Sequence, residues 1–125
     1  MELKVNKFTA QLIFFYCVQQ FGKHKRRPIP KLTWSKINDK ETFGDYCYTK
    51  NRIRIFFNRH FEPDVKNPVL EMVNTICHEY KHYLDSTKLK QSVCKNNKKL
   101  YNKLEVIATK FGDIQSKQFL NKINS

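Results

Sequence analysis

Val69-Leu70-Glu71-Met72-Val73-Asn74-Thr75-Ile76-Cys77-His78-Glu79-Tyr80-Lys81-His82-Tyr83-Leu84-Asp85 is the stretch on which the reading of this chain turns. Val69, Val73, Ile76, Tyr80 and Tyr83 recur at steps of three or four, which gives a helix one face to bury. Asn67 is a good N-cap, Pro68 suits the first helical position and Glu71 falls in the first turn. Inside this helix lies His78-Glu79-Tyr80-Lys81-His82, the pattern H-E-x-x-H. Four residues on a helix are one turn plus about 40°, so both imidazoles leave the same face. They can close on one tetrahedral zinc ion at Zn–N distances of ~2.0–2.1 Å. Glu79 points about 100° away from His78, beside the metal as a base rather than as a ligand. Zinc lowers the pKa of a bound water to about 7, and a carboxylate there can take its proton and pass it to a leaving amine. The stretch predicts a zinc-dependent peptidase with Zn2+ as cofactor and a protein or peptide as substrate.

A third ligand is to be sought downstream. Residues 98–118 carry a helical pattern with two adjacent stripes. One is Leu100, Leu104, Ile107, Phe111 and Ile114. The other is Tyr101, Glu105, Ala108 and Gly112, whose small residues let another helix approach closely. Glu105 is the single acid of this segment before Asp113 and sits on an otherwise uncharged stripe. The expectation is that this stripe faces the motif helix and that Glu105 ligates zinc. Tyr101, one turn earlier, either donates to the oxyanion formed as a carbonyl is attacked or is a packed aromatic. Asp85 lies three residues past His82, about 4.5 Å further along the axis. It either orients an imidazole through a hydrogen bond or is a surface acid.

The segments before the motif supply a frame. Residues 5–21 predict a helix; Phe8, Leu12, Phe15 and Gln19 share one spacing and Ile13, Cys17 and Phe21 another. The run Leu12 to Val18 is apolar all round, as in a backing helix buried on more than one side. Gly22 suits its C-terminal stop. Residues 23–30, K-H-K-R-R-P-I-P, are a basic loop that contains His24. Lys31–Ile37, Phe43–Thr49 and Arg52–Phe57 read as three strands, the last two flanking a turn at Lys50-Asn51. The expected sheet is three-stranded and mostly antiparallel. One strand at its edge either receives an extended peptide as an added strand or belongs to an ordinary hairpin. His60 and Glu62 fall in the loop before the motif helix, where either can approach the site. Residues 86–97 read as a polar, basic linker.

The whole chain sets limits. Its 125 residues suffice for one domain, residues 1–125, and one core. Hydrophobic residues make up 40%, enough to fold rather than stay disordered. No apolar run approaches the ~20 residues that span a bilayer, so no membrane partner is expected. The start, M-E-L-K-V-N-K-F, has no signal-peptide pattern, and the expected location is cytoplasmic. Cys17, Cys47, Cys77 and Cys94 form no C-x-x-C pair, which favours free thiols, with Cys77 packed rather than ligating. The net charge of +13 admits a nucleic-acid partner. However, the excess is mostly lysine and is spread along the chain.

Taken together, the residues H-E-Y-K-H and, after 22 intervening residues, Glu105 resemble the zincin metallopeptidases of the gluzincin type. The context L-E-V-I-A-T-K-F resembles the E-x-x-A arrangement of small gluzincins, including the ImmA/IrrE-like group of bacterial and phage proteins. The resemblance covers roughly residues 31–115. It implies an α+β minimal metallopeptidase domain made of a backing helix, a small antiparallel sheet, the H-E-x-x-H helix and a Glu-bearing helix. By position it implies that His78, His82 and Glu105 hold zinc and Glu79 is the general base, with a fourth coordination position left to water. No H-x-x-G-x-x-H extension follows His82, so the metzincin pattern is absent; no histidine at all follows it, unlike the SprT-like proteases. The alternative is a zincin-shaped basic binding module that contacts nucleic acid or a protein with little or no catalysis.

Overall fold

The motif helix is the axis of the fold in the computed structural model, which describes residues 3–35, 41–87, 90 and 96–124. Element order is α1 (Lys7–Phe21), β1 (Lys31–Ser35), β2 (Gly44–Cys47), β3 (Arg52–Phe56), a 3-10 turn at Phe57–Phe61, α2 (Pro68–Leu84) and α3 (Lys98–Asn124). The class is α+β, with three α-helices among the described residues and one small mixed sheet. No helix among them is long and apolar enough to cross a membrane.

Helix α2 begins where the local chemistry predicts. The Asn67 side chain accepts from Leu70 N–H at 3.2 Å, and Pro68 occupies the first turn, where its missing N–H has no intrahelical role. The buried face is Val73, Ile76, Tyr80 and Tyr83, joined by Met72 and Cys77. Two tyrosines at the centre of a core need partners for their hydroxyls. Tyr80 donates to the Gly22 carbonyl; Tyr83 donates to the Arg27 carbonyl at 3.1 Å and accepts from His24 N–H at 2.9 Å. The basic loop is therefore tied down where it crosses α2. Arg27 extends the tie to the hairpin, donating to the Tyr46 hydroxyl and the Tyr48 carbonyl and lying over the Tyr48 ring.

Three expectations are corrected. The sheet is not mostly antiparallel: its order is β1-β3-β2, with β1 parallel to β3 and β2 antiparallel to it. The β2–β3 hairpin is local, with Tyr48 O accepting from Asn51 N–H and Asn51 in the left-handed region at φ 47. The β1–β3 pairing skips a strand, and nothing in the alternation of a single strand encodes which neighbour it takes. The Ile37 end of the first predicted strand lies outside the described residues, as do most of the 88–95 linker and Cys94.

Second, α1 is not buried all round. Thr9, Ala10, Ile13 and Cys17 are buried, and Leu12, Phe14, Tyr16, Val18 and Phe21 pack partly against the core, whereas Phe8 and Phe15 are 64% and 60% exposed. A domain this size has one core, and α1 lies at its rim, so these two rings find no layer to cover them. Third, α3 continues past residue 118 to Asn124, because Phe119 packs on Tyr16 of α1 and prolongs the interface. The stripe of α3 that faces the core is the one with small residues: Ala108 and Gly112 are buried and Ser116 and Phe119 continue it, while Ile107 and Ile114 of the other stripe are exposed.

Gly112 sets how closely α3 approaches α2. A Cβ there would overlap the Asn74 side-chain oxygen and lie 3.0 Å from the Asn74 carbonyl oxygen. Gly112→Val is therefore expected to destabilise the protein by about 1–3 kcal/mol, the usual range for overpacking, read from the urea midpoint. An unchanged midpoint would mean that the two helices tolerate a wider spacing.

Candidate metal centre

Helices α2 and α3 bring three side chains to one point. His78 Nε2 is 3.1 Å from Glu105 Oε2, His82 Nε2 is 3.0 Å from Glu105 Oε1, and the two Nε2 atoms are 3.2 Å apart. His78 and His82 meet because they are one turn apart on α2. Glu105 meets them because the small stripe of α3 lets that helix settle onto this face.

The distances test whether a cation fits. Ligands ~2.0–2.1 Å from a common tetrahedral centre lie ~3.3 Å from one another, close to the three separations found. Protons satisfy the cluster less well than a metal does. If both Nε2 atoms carried hydrogens for Glu105, two donors would face each other at 3.2 Å with no acceptor between them. A cation at the centre accepts a lone pair from each. Hydrogen bonds from His78 and then His82, which a bound cation would replace, hold the Glu105 carboxyl well below the usual range.

Glu79 stands just behind this cluster. With His78 and His82 it forms a group whose ligand-type atoms lie within 4.8 Å of one another, and such a group could hold a metal ion. Its Oε2 is 3.9 Å from His78 Nε2, further than any of the three contacts above. Only 9% of the residue is exposed, and burial pushes its carboxyl well above the usual range, with the Glu105 and Asp45 charges adding to the effect and a hydrogen bond from the Tyr46 backbone amide opposing it. A carboxylate made more basic in this way is a better proton acceptor.

That hydrogen bond ties the cluster to the sheet. Among the described residues β2 is an edge strand, paired only with β3. Phe56 N–H donates to Phe43 O, and the register pairs Gly44 with Ile55 and Tyr46 with Ile53. Antiparallel pairs alternate between bonded and non-bonded; counting from Phe43 and Phe56, the backbone polar groups of Gly44 and Tyr46 point away from β3. Both residues line a cleft of about 590 Å³ that runs between β2, α2 and α3 and has His78, Glu79, His82 and Glu105 in its wall. The edge strand expected beside the site is therefore β2.

The remaining candidates sort as follows. Tyr101 lines the same cleft and is half exposed. Asp85 also lines it but caps α2 and pairs with Lys81 at 3.2 Å, and no hydrogen bond joins it to an imidazole among the described residues. His60 is fully buried with its Nδ1 2.9 Å from Phe56 O, and Glu62 ends the 3-10 turn; neither lines the cleft. His24 is part of the basic loop as expected, with an added anchoring role through its ring, 2.7 Å from Ser86 O. Cys77 is packed, its sulfur 3.8 Å from that of Cys17.

Reading the residues singly missed Glu71, Asn74 and Asp113 as parts of the cleft wall. Part of the signal was present: Glu71 is seven residues before His78, about two turns away on the same face, whereas Asp113, eight after Glu105, is turned about 80° from it. It carried no motif. Compared with protein-family models, with curated proteins and with solved structures, the chain gives no match.

Proposed function

We propose that this protein is a zinc-dependent metallopeptidase with a gluzincin-like centre in which His78, His82 and Glu105 hold the metal. The observation that carries the reading is the Glu105 carboxylate, which offers one oxygen to each imidazole at 3.0–3.1 Å from a separate helix. Two imidazoles and one carboxylate are a donor set typical of catalytic zinc, which keeps a position open.

Bound zinc supplies a Lewis acid that lowers the pKa of a coordinated water to about 7. The chain's own residues do the rest. The Gly44 backbone groups and the Tyr46 carbonyl at the β2 edge hold an extended peptide as an added strand. Glu79 accepts the proton of the attacking water and returns it to the leaving amine as the C–N bond breaks. Tyr101, in the cleft wall, donates to the carbonyl oxygen as it gains charge.

The test is cleavage of an unfolded protein by the purified chain, measured as isolated, after chelation and after zinc is restored. Activity lost on chelation and recovered with zinc is expected. Undiminished activity after the metal has been removed would overturn the reading. No cleavage by the zinc-loaded chain, together with binding to nucleic acid that weakens steeply with salt, would instead favour the basic binding module that the +13 charge suggests.

A further inference from the structure

Charge is divided unevenly over this molecule. The chain carries 24 Lys and Arg against 11 Asp and Glu. Yet six of those acids, Asp45, Glu71, Glu79, Asp85, Glu105 and Asp113, line the cleft, where among the described residues Lys90 is the sole lysine or arginine. Water in such a groove feels a negative field inside a positive protein, and fields of one sign in a cleft select ligands of the other.

Four of the six acids have a partner or a task. Glu79 and Glu105 belong to the metal centre, Asp45 is paired with Arg54 at 2.7 Å, and Asp85 is paired with Lys81 at 3.2 Å. Glu71 and Asp113 differ, since neither is ion-paired among the described residues. Arg59, the cation whose charge acts on Glu71, is held in a two-pronged pair by Asp64 at 2.8 Å. Burial raises the Glu71 carboxyl and the Asp113 charge adds to this, although Arg59 opposes it. Asn74 sits beside them and donates to Asp113 Oδ1 at 2.7 Å, which fixes that carboxylate against α2.

The pair lies at a defined distance from the centre. Glu71 is seven residues before His78, about 10.5 Å along α2, and Asp113 is eight after Glu105, about 12 Å along α3. Both lie at the end of the cleft where β2 begins, since Glu71 and Phe43 share the wall of a neighbouring pocket. Tyr46, by contrast, is level with Glu79, to which its amide is bonded. A peptide laid along β2 advances about 3.2–3.4 Å per residue, so about three or four residues span the gap.

We infer that Glu71 and Asp113 form a cation-selecting end of the cleft, so that the substrate is a peptide with Lys or Arg about three or four residues from the bond to be cut. This rests on the peptidase reading above and specifies its substrate class. The basic side chain places its charge between two carboxylates that otherwise repel one another.

The test uses matched decapeptides that differ only in carrying Lys, Gln or Glu at those positions, on either side of one scissile bond. With zinc-loaded wild type, the Lys peptide on one side is expected to be cut roughly 10-fold faster than the Gln peptide, the scale of two partly shielded ion pairs, and the Glu peptide more slowly still. The Lys-to-Gln ratio should fall toward one in Glu71→Gln/Asp113→Asn and persist in the charge-keeping Asp113→Glu, with zinc content as the check on folding. A second arm measures binding of the same labelled peptides to zinc-loaded Glu79→Gln, so that the inference is read even without cleavage. Cleavage with no charge preference, or a preference that survives the double substitution, overturns the inference and leaves the peptidase reading standing. Charge-selective binding that depends on Glu71 and Asp113, with no cleavage by wild type, sustains the cation site and overturns the peptidase reading. Equal binding of all three peptides overturns the inference whatever the cleavage result.

Discussion

Glu79→Gln is expected to lower peptide cleavage by about 10²–10⁴-fold, the usual contribution of a positioned general base, while zinc content stays that of the wild type. The substitution keeps the shape of a buried side chain and removes its basicity. Glu79 is 3.9 Å from His78 Nε2, whereas the three side chains that close on one point approach one another at 3.0–3.2 Å. The metal should therefore not need it. Gln can still accept the hydrogen bond from the Tyr46 amide through its carbonyl oxygen, so the β2 edge and the cleft should keep their form. The measurement is metal content beside the rate of cleavage of a fixed peptide. Retained activity would remove Glu79 from the reaction, and loss of zinc would make it a ligand.

Glu105→Ala is expected to weaken zinc binding by more than the 10–100-fold that loss of an outer-shell partner costs. His82→Ala should do the same. Stability supplies a second readout. A ligand at about 1,000 times its dissociation constant raises unfolding free energy by roughly 4 kcal/mol. Zinc should therefore raise the melting temperature of the wild type clearly and that of Glu105→Ala little. Removing Glu105 takes away the carboxylate that both imidazoles face and also the link from α3 to the α2 site. Asp85→Ala serves as the control, because that side chain is engaged with Lys81. Zinc retained by Glu105→Ala and lost by Asp85→Ala would reassign the third ligand.

How much of this was legible beforehand depends on the range over which each feature is set. The ends of α2 were readable because a cap is a contact between residues three apart: Asn67 and Leu70 are enough. The α2 core face was readable for the same reason, since helical period alone brings Val73, Ile76, Tyr80 and Tyr83 to one side. The pair His78 and His82 follows from one turn of helix. Glu105 was readable only by inference from the small residues beside it, and its place against the imidazoles depends on how closely Gly112 lets α3 approach Asn74.

Other features were set at longer range and were misread or missed. The parallel partner of β1 depends on which edge of β3 remains after the local hairpin has formed. The exposure of Phe8 and Phe15 depends on which layers a small chain can supply, a property of the whole packing. His24 and Arg27 looked like any basic loop, but buried tyrosine hydroxyls and hairpin carbonyls over 50 and 20 residues away gave them fixed partners.

The amino-acid order alone thus carried the helical periods, the caps and the His78–His82 pair as a candidate metal site, because each is decided by neighbours within a turn or two of backbone. Only the packed chain decided that an edge strand lies beside Glu79, that Glu105 meets both imidazoles and that Glu71 and Asp113 share one end of a cleft. Those relations join residues 23 to 42 positions apart, and no local preference sets such a distance; burial of the common face of α2, α3 and the sheet does.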